Sequence, residues 1–212
     1  MTVPVEIFFD LSSPWTRIAF HNFRQWAAGQ DVDVVWRPFL VGGVFNAVND
    51  SVYAGRQNPD NPKFRLTYVW LKEWARLAEV AMNFPSPHHP VKSVNAMRFC
   101  CVLEADQVDL TRFAEAAFDA YFADQQNIDD PAVLVAIAYA AGLDGVRLAE
   151  QAQSAEIKAR LRDNTQEAID RGAFGSPTFF VDGKFMYFGN DQLPLVQQRI
   201  GLTTGAAPPT GS

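Results

Sequence analysis

Residues 3–37, VPVEIFFDLSSPWTRIAFHNFRQWAAGQDVDVVWR, decide the fold. From Val3 to Phe9 nearly every position is apolar, β-branched or aromatic, which is the composition of a buried strand. Pro14 then begins a different pattern. Trp15, Ile18, Ala19, Phe23 and Trp26 recur at helical spacing, and Gly29 supplies a stop. DVDVVWR, residues 31–37, returns to alternation and reads as a second strand. A strand, a helix and a strand within so short a span imply a parallel pair joined by a right-handed crossover.

Outward from this unit, residues 42–62 are rich in Gly, Asn, Asp and Pro and read as a long loop. From 63 to about 171 the pattern is helical, broken at PSPHHP (85–90), at DQQNIDDP (124–131) and at Gly142, which predicts four or five helices. The end of the chain changes again. SPTFFVD (176–182) reads as a strand, Asp182-Gly183 as a hairpin turn, and KFMYF (184–188) as its partner. Gly189-Asn190-Asp191 then opens a helix, with Asn190 or Asp191 as its cap. The two ends together make an α/β, thioredoxin-like, four-stranded mixed sheet. Residues 1–62 and 172–204 form that part, 63–171 an inserted all-helical domain, and 205–212 a disordered tail.

Composition narrows the function. A net charge of -6 without any basic run argues against a nucleic-acid partner, because phosphate neutralisation needs clustered Lys and Arg. The N-terminus meets Asp10 early and has no basic leader, and no apolar stretch approaches the ~18 residues of a membrane span. The expectation is a cytoplasmic protein with no membrane partner. Cys100 and Cys101 are adjacent, so they form neither a CxxC pair nor a disulfide framework, and packing in a helix is their expected role. The three His and two Cys show no metal-ligand spacing.

Ser13 precedes Pro14, so it should cap the helix that follows the first strand. A helix start carries partial positive charge and unpaired N–H donors, and it lowers the pKa of a sulfur placed there. A serine hydroxyl at that point is an ordinary cap, or a hydrogen-bond donor to a thiolate brought in by a ligand. Ser176-Pro177 begins a strand, or forms a cis bond that presents the Ser176 backbone to an extended peptide-like ligand. Gly189-Asn190-Asp191 is a plain cap, or a cradle for the free amino-acid end of a ligand. In the proposed fold all of these fall in one place.

FFDLSSPW, RPFLVGGVF, NPKFRLTYVWLKEWARLA, MNFP, RGAFGSPTFFVDG and YFGNDQL, in this order, resemble the kappa-class glutathione transferases. More specifically they resemble the bacterial 2-hydroxychromene-2-carboxylate isomerases. The resemblance runs to about Gly201. It implies glutathione as cofactor, with Ser13 activating its sulfur. Ser176 and Pro177 would pair with its cysteinyl backbone, and Gly189, Asn190 and Asp191 would hold its γ-glutamyl end. Asn58 would make a further contact, with Asn61 or Asn49 as alternatives. For the second substrate it implies Lys63 near an organic acid, Trp15 and Trp70 on the pocket wall, and His88 where an aromatic residue is expected; in their own loop, His88 and His89 read as solvated. The activity implied is glutathione-dependent isomerisation of an unsaturated 2-oxo acid in aromatic-hydrocarbon catabolism, by a homodimer. A kappa-like transferase or peroxidase, or a non-catalytic binding module, are the alternatives. A disulfide oxidoreductase is disfavoured, because 13–16 holds no cysteine.

Overall fold

The computed structural model describes residues 2–49 and 61–204. Strand β1 (Val3–Phe9) runs parallel to β2 (Val32–Pro38), and helix α1 (Pro14–Ala27) crosses between them. Strand β3 (Thr178–Val181) pairs antiparallel with β1, and β4 (Phe185–Phe188) antiparallel with β3, giving the order β2-β1-β3-β4. Ile7 thus lies between Trp36 on one side and Phe179 on the other.

Alternation along β1 assigns its faces. Val3, Val5, Ile7 and Phe9 point into the main core with Phe20 and Phe23 of α1. That core continues without a break into Phe99, Phe113 and Phe118 of the helical segment, so sheet and helices share one interior. Phe8 faces the other way, with Phe39, Val44 and Phe180. Glu6 lies on the same side as Phe8. It pairs with Arg37 at 3.1 Å and Arg171 at 2.6 Å, and the Arg171 guanidinium sits 3.8 Å over the Phe180 ring.

Two expectations need correction. Residues 42–62 do not begin as loop: α2 (Val41–Val48) is a helix. Its two glycines disfavour helix intrinsically, but Val41 and Val44 bury against Phe8 and Ala168. A Cβ on Gly43 would meet Thr165 Cγ2 at 3.0 Å, so the glycine permits close packing there. Between 63 and 171 there are six helices among the described residues: α3 (Pro62–Leu77), α4 (Val94–Leu103), α5 (Gln107–Phe122), α6 (Pro131–Ala140), α7 (Gly145–Gln151) and α8 (Ala155–Asp170). Caps make the additional breaks. Asp106 accepts from the N–H groups of Val108 and Asp109, and the Ser154 hydroxyl from that of Ile157. A short 3₁₀ turn (Asn190–Gln192) and α9 (Leu193–Thr204) close the chain. No helix among the described residues is long and apolar enough to cross a membrane.

Candidate active site at the start of the first helix

Ser13 caps α1 as its sequence predicts. Its backbone is extended (φ -88, ψ 117), Pro14 follows at the first turn, and the Thr16 N–H donates to Ser13 Oγ at 3.2 Å. The Ser13 hydroxyl proton is directed elsewhere, to the main-chain carbonyl of Ser176 at 3.1 Å. The Ser176–Pro177 bond is cis, as expected. Pro177 in turn accepts from the Gly189 N–H at 3.1 Å. These bonds bring the three sequence motifs into one continuous site. The Ser176 side chain anchors it from behind, accepting from the Asp10 N–H at 3.0 Å and lying 2.7 Å from Thr16 Oγ1.

The Gly189 turn differs in detail from the expected cap. Gly189 itself is the capping residue, and no side chain caps the 3₁₀ turn. Its φ of +98° suits glycine, and a Cβ there would lie 2.6 Å from Asp191 Oδ1. Asn190 is 1% exposed, and its side chain accepts from Asn22 of α1 at 3.1 Å, so it braces the turn against the helix. Asp191 is exposed beside it, and its Oδ2 accepts from the Gln192 side chain at 3.0 Å.

Asp10 was not singled out by its sequence, and it organises the site. It is completely buried. Oδ1 accepts from the Ser12 N–H and hydroxyl, each at 2.8 Å, and Oδ2 from the Val41 N–H at 2.9 Å and the Ser93 hydroxyl at 3.0 Å. One carboxylate therefore ties the turn before Ser13 to the starts of α2 and α4. Ser93 stands at the cap position of α4 without capping it, and its hydroxyl donates to Asp10. Burial pushes the Asp10 pKa up, against the pull of its Ser12, Val41 and Ser93 donors. The only signal in the sequence is an acidic residue directly after an apolar strand.

Of the residues assigned to the second substrate, Trp15 lies on α1, Trp70 on α3 and His88 in the segment between α3 and α4. Trp15 and Trp74 pack with Ile18, Leu71 and Ala75 where α1 meets α3, so they fill a helix contact. Trp70, one position off that stripe, is 52% exposed. His88 is exposed, whereas the His89 ring packs edge-on against Phe84 at 4.6 Å. Asn58 and the Lys63 side chain lie outside the described residues. Of the alternatives to Asn58, Asn49 donates to the Phe174 carbonyl at 2.9 Å, and Asn61 accepts the Arg65 N–H at the start of α3. A cavity of about 290 Å³ does open beside Ser12, but its walls are the first turns of α2 and residues 89–94.

Both cysteines are buried in α4, and burial pushes both thiols well up, away from nucleophilic use. Among the described residues no His, Cys, Asp or Glu cluster is arranged to hold a metal ion.

A model of the DSBA-like thioredoxin domain matches residues 4–201. Glutathione S-transferase kappa 1 of Rattus norvegicus is 28% identical over 221 residues, spanning 97% of this chain and 95% of its own. The 2-hydroxychromene-2-carboxylate isomerase of Sphingobium xenophagum is 25% identical over 201 residues, spanning 93% and 97%. A solved structure of 2-hydroxychromene-2-carboxylate isomerase superposes with a TM-score of 0.78 at 23% identity, over 95% of this chain and 96% of that one. A probable DsbA oxidoreductase from Streptomyces coelicolor gives 0.72 at 19% identity, over 99% and 93%. At these identities the two structures speak to fold alone.

Proposed function

The chain belongs to the DSBA-like thioredoxin domain family, and on that premise we propose that it is a glutathione-dependent isomerase of an unsaturated aromatic 2-oxo acid. The observation that carries this reading is the pair of hydrogen bonds from Ser13 Oγ to the Ser176 carbonyl and from the Gly189 N–H to the Pro177 carbonyl. They hold a serine-capped helix start, a cis-proline segment and a glycine turn next to one another. The residues fit glutathione: Ser176 offers its backbone for the cysteinyl unit, while the Gly189 turn with Asp191 offers a cradle for the γ-glutamyl end. Asn190 contributes by holding that turn against α1.

Bound glutathione supplies a sulfur nucleophile that adds reversibly to the unsaturated acid. The chain's part is to keep that sulfur ionised. Ser13 donates one hydrogen bond, and the positive end of α1 adds its field, so activation proceeds by pKa depression without a general base. Thiol–disulfide exchange, the chemistry of a DsbA oxidoreductase, would need a thiol at this helix start, and Ser13 stands there. The reading extends to a cytoplasmic homodimer in aromatic-hydrocarbon catabolism, with 63–171 as the inserted helical domain.

The kappa transferase relative, at 28% identity, favours a second reading in which glutathione is consumed. One experiment separates the two. Glutathione binding is measured by calorimetry, then 2-hydroxychromene-2-carboxylate is supplied and total free glutathione followed. Isomerised product with constant glutathione supports the proposal. Conjugate formation supports the transferase, and absence of glutathione binding removes both.

A further inference from the structure

The cavity beside Ser12 has a chemistry of its own. It is lined by Leu40, Val41, Phe45, Pro90, Val91 and Lys92, together with Ser12, Ser93 and the α2 glycines. At about 290 Å³ it lies near the lower end of the ~300–1,000 Å³ usual for small-molecule sites, a size for a ligand of one or two rings. Among the described residues no aspartate or glutamate lines it. The hydroxyls of Ser12 and Ser93 and the Val41 N–H, the polar groups nearest its floor, all donate to Asp10. The His89 ring packs on Phe84. Among the described residues of the wall, Lys92 is the lysine, and it is exposed beside Leu40, Val41, Phe45 and Val91. Ser12 connects this wall directly to Ser13 through the chain.

We propose that this cavity receives the acceptor substrate, a planar aromatic carboxylate, with Lys92 pairing its carboxylate. The inference deepens the function proposed above by naming where the acceptor's charge sits, and it rests on that reading for the identity of the reaction. An apolar slot of this size takes the rings. The lysine meets the carboxylate at the solvent edge, where neither charge must be fully desolvated. Selectivity then comes from Lys92 and not from Trp70 or His88, which lie outside the cavity.

The test uses two probes of the same shape, 1-naphthoate and its neutral amide 1-naphthamide, titrated into the full chain with and without glutathione. Lys92→Met should weaken naphthoate about tenfold, the size of one charge-assisted contact near the surface, and leave naphthamide unchanged. Lys92→Arg should keep most of the naphthoate affinity. Glutathione affinity should be the same in all three proteins. Naphthoate that fails to bind, or that binds wild type and Lys92→Met equally, overturns the inference, as does an equal loss for both probes. The outcome is separable from the proposed reaction. If glutathione does not bind the wild type, that reading falls, while the naphthoate comparison still decides whether the cavity selects anions through Lys92.

Discussion

The Ser13 hydroxyl donates to the main-chain carbonyl of Ser176 at 3.1 Å, joining residues 163 apart in sequence. The Ser13 oxygen also accepts the Thr16 N–H, so both sides of this hydroxyl are engaged. A ligand sulfur at the helix start would take the Ser13 proton in exchange for the Ser176 carbonyl. That carbonyl, in the bend before β3, would then be released to pair with the ligand's own backbone. On the proposed reading the two residues act together on the ligand, and substitution can separate their parts.

The Ser176 side chain and backbone have different tasks. Its hydroxyl is buried, accepts the Asp10 N–H and contacts Thr16 Oγ1, while its carbonyl faces Ser13. Ser176→Ala leaves the Asp10 N–H without an acceptor, which should cost ~1–3 kcal/mol of stability. The backbone remains, so glutathione affinity should change by less than about threefold, well under the tenfold that 1.4 kcal/mol represents. Urea unfolding and calorimetry on the same variant check both parts.

Gly189→Ala should act on both at once. The residue holds φ at +98°, and a Cβ would press on Asp191 Oδ1 at 2.6 Å. A non-glycine residue in so sparsely populated a region costs on the order of 1–3 kcal/mol. Moving Asp191 should also weaken glutathione binding. A variant with lowered stability and wild-type glutathione affinity would show that the turn does not hold the ligand.

Asp10→Asn tests the buried junction. The amide group that replaces one oxygen cannot accept, so two of the donors now meeting at Asp10, from Ser12 or from Val41 and Ser93, lose their partner. The loss should be ~1–3 kcal/mol for each buried group left unpaired. The measurement is the urea midpoint. Unchanged stability would mean that the starts of α2 and α4 are held by other contacts.

Acid should unfold the chain in part through Glu6. Burial alone would raise its pKa, but the Arg171 and Arg37 guanidiniums outweigh burial and hold it below the ordinary 4.5. The charged form is thus favoured by folding. Its contribution is present above pH 4.5 and is lost as pH falls through the lowered folded-state value. Glu6→Gln should be less stable than wild type at neutral pH by about 1 kcal/mol, given the partial exposure of the pair. The difference should shrink toward zero in acid. A constant difference across that range would remove the ion pair from the account.

The sequence made β1, α1 and β2 legible because each reports through a local signal: a continuous apolar run, Ser13 with Pro14, and Gly29. The cis bond at Pro177 was legible only through the company of Ser13 and Gly189. Helix α2 was hidden by Gly42 and Gly43, whose low propensity is overridden by packing of Val41 and Val44 against distant residues. Asp10 was hidden because its donors come from Ser12, Val41 and Ser93, which no local pattern connects. On α3, Trp74 joins Leu71 and Ala75 in one cluster with Trp15 of α1, while Trp70 is exposed, and periodicity along a single helix does not show which neighbour its buried face meets. The cavity was missed for the same reason, since residues 89–94 meet α2 only in the folded chain.

The most direct test of the central claim is the pKa of the glutathione thiol on the protein, read as thiolate absorbance against pH in wild type and in Ser13→Ala. A free thiol titrates near pH ~8.5. On the wild-type protein it should titrate well below that. In Ser13→Ala it should move back up by ~1–2 units, since a hydrogen bond to a charged group is worth ~1.5–3 kcal/mol and one unit is 1.36 kcal/mol. Stability of the variant should fall by only ~1 kcal/mol, the cost of a lost helix cap. An identical thiol pKa in both proteins would contradict the account and leave Ser13 as the cap of α1 alone.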